Sequence, residues 1–144
     1  MNNIEIVVEN EIVCGNPKIA ISSKQSTKNI VFDCVNGTQT IIADIELAAY
    51  DTIEIRLLDR KHNNNSSSQT TVELLDLYID NINLQHLILN GVLYPQYDIN
   101  FVKEFDPPVS YCPGTVFYNN GVYELDIKLP IYKFIVDSYE KTVS

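Results

Sequence analysis

The chain has 144 residues, 45 % apolar and 20 % charged, an ordinary globular balance that excludes disorder and fibrous repeats and predicts a single domain over residues 1–144. Ten Lys and Arg against nineteen Asp and Glu leave a formal charge of −9, so a phosphate backbone or an anionic membrane is repelled, and neither nucleic acid nor membrane is an expected partner. No apolar run has the length of a membrane span, and Met1-Asn2-Asn3-Ile4-Glu5 lacks the basic and apolar regions of a signal peptide, which predicts synthesis in a cytoplasm.

From the first residues onward the apolar side chains alternate: Ile4, Ile6, Val8, then Ile19, Ile21. Period two marks half-buried strands whose other face is wet, as Glu5 between Ile4 and Ile6 illustrates. Asn36-Gly37 lies between two apolar runs and reads as a type I′ hairpin turn, because both central positions of that turn need positive φ. The turn would pair Phe32 with Ile41 and Ile30 with Ala43. Ile53, Ile55, Leu57 form a further strand, followed by the low-complexity polar stretch 61–70, which reads as a solvated hairpin tip. Shortening its Asn63 to Ser68 part is expected to leave stability unchanged.

The next strand, Val72–Ile79, changes apolar parity between Leu74 and Leu75, which predicts a bulge. Leu84, Leu87, Ile88 have helical spacing, but the segment is short and ends at Asn90-Gly91, so one helical turn is predicted. Tyr94, Tyr97, Phe101 and Phe105 then crowd around Pro95, with Tyr111 behind. Pro107, Pro108 and Pro113 exclude regular pairing and stiffen an extended connection suited to a rigid contact surface.

Asn120-Gly121, read as a two-residue turn, sets Tyr118 opposite Tyr123 and Val116 opposite Leu125 on a core face, and leaves Phe117 opposite Glu124 on a charged one. The closing segment Ile131–Val136 reads as a strand with Ile131, Lys133, Ile135 on one face and Tyr132, Phe134, Val136 on the other. A sandwich interior covers only one of those rows, so an exposed strand of this kind needs a cover. Phe117, Tyr132, Phe134, Val136, Pro107, Pro108 and Tyr111 are therefore the candidate interface residues, and a homo-oligomer or a lattice-bound subunit is expected. The terminal arms, Ile4–Val8 and Ile131–Val136, are expected to be sheet edges. Together these elements predict an all-β fold: a single antiparallel β-sandwich of about eight or nine strands, without helices, of the jelly-roll, C2-like or Ig-like kind.

Catalytic chemistry finds few supports. Only two histidines are present, His62 in the polar stretch and His86 beside an apolar run, and neither neighbours a nucleophile motif. Asp76 with Asp80, or Asp98 with Asp106, do not have EF-hand spacing, and five singly scattered glycines make no phosphate cradle. Cys14, Cys34 and Cys112 show no Cys-x-x-Cys pair and read as reduced, buried thiols, with a disulfide as the alternative. No cofactor, metal or catalytic residue is assigned, and a non-enzymatic protein is expected. The flat amphipathic rings of Tyr94, Tyr97 and Phe101 suit a glycan platform, the alternative being rings packed beneath the proline-rich connection or against another subunit.

The run Ile79-Asp80-Asn81-Ile82-Asn83-Leu84-Gln85-His86-Leu87-Ile88, then Tyr94-Pro95-Gln96-Tyr97-Asp98, then Asn120-Gly121-Val122-Tyr123-Glu124-Leu125, closing with Leu129-Pro130-Ile131-Tyr132, resembles small structural proteins of tailed bacteriophages. The resemblance covers about half the chain and consists of turn-and-strand landmarks without catalytic content. It implies a virion component, a head decoration or auxiliary capsid protein before a neck or tail component, whose partners are other virion proteins such as the major capsid protein. A carbohydrate- or receptor-binding β-sandwich module is the alternative function.

Overall fold

The computed structural model describes residues 1–62, 68–97 and 99–143, with the side chains of 99, 100 and 140–143 left aside. Among the described residues ten strands form two antiparallel sheets. In the first sheet, β1 (Asn2–Glu11) lies between β4 (Gly37–Ile45) and β6 (Thr71–Ile79), and β6 also carries the two-residue strands β7 (Ile82–Asn83) and β9 (Val116–Phe117). In the second the order is β3 (Asn29–Asp33), β2 (Lys18–Ser23), β5 (Tyr50–Leu58), β10 (Gly121–Lys128) and β8 (Val92–Pro95). Ile4, Ile6, Leu77 and Ile79 of the first sheet and Ile21, Ile53, Ile55 and Leu125 of the second meet in one apolar core, so the alternation along the chain is the alternation between core and solvent. This is the antiparallel β-sandwich that the alternation predicts. The N-terminal segment, expected at an edge, is instead the centre of its sheet.

The bulge falls where the parity changes. Val7 pairs with Asp76 and Val8 with Leu74, so Leu75 is the extra residue, exposed, while Leu74 stays in the core. Turn chemistry departs from expectation, because none of the three Asn-Gly pairs joins strands that pair with each other. Asn36-Gly37 carries the chain from β3 in the second sheet to β4 in the first, with Gly37 at φ 93°. Gly91 and Gly121 are needed for close approach: a Cβ on Gly91 would stand 2.2 Å from the Tyr123 ring, and one on Gly121 2.6 Å from the Tyr94 carbonyl. A two-residue hairpin with both central φ values positive does occur, at Asp80 (51°) and Asn81 (67°), between Ile79 and Ile82.

Two expectations about the second half are overturned. Phe117 is 2 % exposed, because β9 pairs with β6 of the first sheet, Phe117 opposite Val72, and not with β10. Its neighbour Tyr118, expected in the core, is 63 % exposed. The segment from Ile131 is a helix, α2 (Ile131–Val143), not a strand. Pro130 opens it by accepting the Lys133 and Phe134 amides at 3.1 and 3.2 Å. Ile131, Phe134 and Ile135 then turn to the core at helical spacing, while Tyr132 and Val136 share the solvent face. A second short helix, α1 (Ile99–Phe105), was likewise not expected, whereas the turn at Leu84–Ile88 is present as a 3₁₀ helix, Gln85–Asn90. The polar Asn/Ser stretch falls mainly on 63–67, outside the described residues. All three cysteines are free, Cys112 exposed and the other two half-buried. Among the described residues no helix is long and apolar enough to cross a membrane.

Candidate functional site

The sandwich carries its unpaired aromatic surface on the connection from β8 to β9. Beyond β8 the chain runs through Tyr97 into α1, where Phe101 and Phe105 stand four residues apart on one helical face, and Tyr97, four residues before Phe101, continues their row from outside the helix. The Tyr97 and Phe101 rings are 5.5 Å apart with a 30° tilt, and the Phe101 and Phe105 rings 4.9 Å apart with a 40° tilt. This is an offset ladder of three rings, within the range that aromatic quadrupoles favour.

After α1 the proline connection turns back to the sheet, where Tyr111 exchanges two backbone hydrogen bonds with Leu93, both 2.9 Å. That bridge fixes the Tyr111 ring beside the ladder, and the Tyr97 hydroxyl donates to the Tyr111 hydroxyl at 3.1 Å. Loss of hydration, with the Tyr111 hydroxyl second, pushes the Tyr97 phenol up to about 12, so the Tyr97 hydroxyl keeps its proton at any physiological pH. Tyr111, Tyr118, Pro95, Pro113 and Leu93 line a depression of about 290 Å³ at the end of β8. Gly114 lets its wall close, since a Cβ there would meet the Leu93 side chain at 2.4 Å.

A second depression, about 300 Å³, lies on the outer face of the second sheet between β8, β10 and α2. Tyr94 and Phe134 line it with Asn90, Glu124, Asp126 and Ser138. Its charges are already engaged: Lys24 Nζ is 3.3 Å from Glu124 Oε2, and the Thr52 hydroxyl donates to Asp126 Oδ1 at 2.6 Å. The hydrogen bond and charge of Glu124 hold the Lys24 ammonium above its ordinary value. Beneath them Arg56 links the buried Glu54 carboxylate, at 3.0 Å, to the Ser22 hydroxyl, at 3.1 Å.

Of the residues expected to form a glycan platform, Tyr97 and Phe101 come together and Tyr94 does not, because alternation along β8 sends Leu93 to the core and Tyr94 to the outer face. Of the expected interface residues, Tyr111 joins the ladder, Pro107 and Pro108 lie on the extended connection beside it, and Tyr132 and Val136 lie on the helix face away from the core. Phe117 packs inward, and the half-buried Phe134 packs against the core while lining the second depression. Phe105 and Tyr118 complete the aromatic surface. For Phe105 the signal was the four-residue spacing from Tyr97 and Phe101, whereas no local pattern marks Tyr118. His86 is exposed and stands edge-on to Tyr139 at 5.0 Å.

The chain matches no protein-family model and no curated protein. Among solved structures it is similar to the selenomethionine form of vCBM60, a structure reported with a circular permutation that links two families of calcium-dependent carbohydrate-binding modules. The two share 12 % identity over 87 % of this chain and 90 % of that one, with a TM-score of 0.56. At that identity the likeness establishes the β-sandwich fold alone. Among the described residues of this chain no three His, Cys, Asp or Glu side chains gather where they could hold a metal ion.

Proposed function

We propose that this chain is a non-enzymatic binding module that takes carbohydrate on the aromatic surface of the β8–β9 connection. The observation that carries the reading is the ring ladder Tyr97, Phe101, Phe105 beside Tyr111: flat rings, half-buried at Tyr97 and exposed at the others, next to a pair of hydrogen-bonded hydroxyls. Sugar rings present apolar C–H faces ringed by hydroxyls, and such a surface matches both parts at once. The fold likeness to a carbohydrate-binding module supports the same reading. The test is affinity electrophoresis of the whole chain through gels holding soluble polysaccharides, followed by a glycan array. Retardation that is lost in Phe101→Ala and in Tyr111→Ala, with the circular dichroism spectrum unchanged, is the expected result. A wild-type chain that no glycan retards rejects the reading.

A second reading, an auxiliary protein on a tailed-phage virion, rests on the turn-and-strand resemblance and is favoured by one observation. Val109, 81 % exposed, and Val102 lie on the same connection as the rings, and aliphatic groups of that kind suit a protein partner better than a sugar. It expects co-sedimentation with capsid lattices and none with polysaccharide, which separates the two readings in one pair of assays.

A further inference from the structure

The two flanks of the sandwich are finished differently. On one flank the sheets end in the two-residue strands β7 and β9 and in β8, which stops at Pro95 and carries the Tyr111 bridge. Short strands, proline and a covering loop are the usual ways to blunt a sheet edge. On the other flank the first sheet ends in β4, nine residues long, in unbroken register with β1 from Asn2–Ile45 to Asn10–Gly37. No other strand of the described residues pairs with its outer edge. Gly37–Ile45 has no proline, lysine or arginine, no bulge, and a single charge, Asp44. Ile42 is 52 % exposed on its outer face.

We infer that β4 is an interface for a second copy of this chain, joined antiparallel across a two-fold axis so that the two first sheets become one. The strand is complementary to itself in one register. With Ile41 opposite its own copy, all nine residues overlap, inward residues meet inward residues, and the outer face pairs Thr38 with Asp44 and Thr40 with Ile42. Asp44 then faces a hydroxyl and no two charges oppose each other, even though the chain as a whole carries −9. An acidic peptide would find no matching charge along this edge and a basic one would find only Asp44, which favours the second copy over a charged extended partner.

Sedimentation equilibrium of the full chain is expected to give twice the monomer mass. T40K/I42K sets lysine against lysine at two cross-strand pairs and is expected to give a monomer with unchanged circular dichroism, since both side chains point to solvent. T40K/I42E sets lysine against glutamate in the same register and is expected to restore the dimer. A wild-type monomer overturns the inference, as does a dimer that survives T40K/I42K. If T40K/I42K unfolds, T40K/I42E still decides: a folded monomer there rejects the register.

Discussion

Tyr123 and Tyr111 flank the same residue. Tyr123 faces Leu93 across the β10–β8 ladder, and Tyr111 bridges Leu93 from the other side. Tyr123 is 0 % exposed and its hydroxyl donates to the Ile88 carbonyl at 2.6 Å, while Tyr111 is exposed and its hydroxyl accepts from Tyr97. One ring fastens the 3₁₀ turn to the core, and the other faces whatever the protein meets. The difference shows that a tyrosine's role here follows from where its hydroxyl finds a partner, backbone within the core or another ring at the surface.

The strongest way to break that distinction is to alter two adjacent residues with opposite environments. Phe117→Ala removes a ring packed between the sheets and is expected to lower the unfolding free energy by about 3–5 kcal/mol. Tyr118→Ala is expected to stay within about 0.5 kcal/mol of wild type, as exposed side chains do. Urea denaturation of both variants checks this, and equal losses would place both rings in the core.

A smaller effect follows from the seat beneath Tyr123. An alanine at Gly91 would bring its Cβ to 2.2 Å of that ring, so either the ring or the 3₁₀ turn must shift. Gly91→Ala is expected to cost about 1–3 kcal/mol, in the range of overpacked cores, and to change the near-ultraviolet circular dichroism of Tyr123. An unchanged melting curve would show that the seat is loose.

Alkaline pH probes the interior more gently. Burial, and secondarily Asp33, pushes the Cys34 thiol from its ordinary 9.0 up to about 11, and burial raises the Tyr123 phenol above its ordinary 10.0. Both groups are neutral in the folded state at pH values where the unfolded chain already ionises. Their stabilising contribution is therefore complete below pH 9 and declines as pH rises, first between 9 and 11 for Cys34 and then above 10 for Tyr123. Urea midpoints at pH 8, 9.5 and 10.5 should fall in that order, and Cys34→Ala should flatten the first part of the fall.

The sandwich was legible because alternation is a local property: Ile4, Ile6, Val8 and Ile53, Ile55, Leu57 show period two whatever they pair with. Pairing itself is not local. Asn36-Gly37 and Asn120-Gly121 satisfy hairpin chemistry, yet each carries the chain from one sheet to the other, so register derived from them placed Phe117 outward and Tyr118 inward, the reverse of what is found. Six residues from Ile131 suit a strand as well as a helix. Only the extension to Ser138, whose hydroxyl returns to the Phe134 carbonyl at 2.8 Å, reveals period 3.6. In the candidate site, Tyr97 and Phe101 could be read together because they are four residues apart in the sequence, while the arrival of Tyr111 beside them depends on a bridge to Leu93 that no local pattern announces.

The smallest stability effect is expected at the ring ladder, where it separates fold from binding most clearly. Tyr97→Phe removes only the hydroxyl that reaches Tyr111 at 3.1 Å, on a surface where water replaces it, so stability should change by less than about 0.5 kcal/mol. Tyr97→Ala removes the ring that stacks on Phe101, still at the surface, and should cost less than about 1 kcal/mol. The two variants divide on binding. If stacking carries recognition, Tyr97→Phe retains the glycan selected by the wild type, and Tyr97→Ala weakens it at least tenfold, the equivalent of about 1.4 kcal/mol. If the paired hydroxyls carry it, both variants lose affinity to a similar extent, and Tyr111→Phe does the same. Isothermal titration with one soluble oligosaccharide decides between them. Should all three variants bind as wild type does, the ladder is not the ligand surface, and the depression lined by Tyr94, Glu124 and Asp126 becomes the place to mutate next.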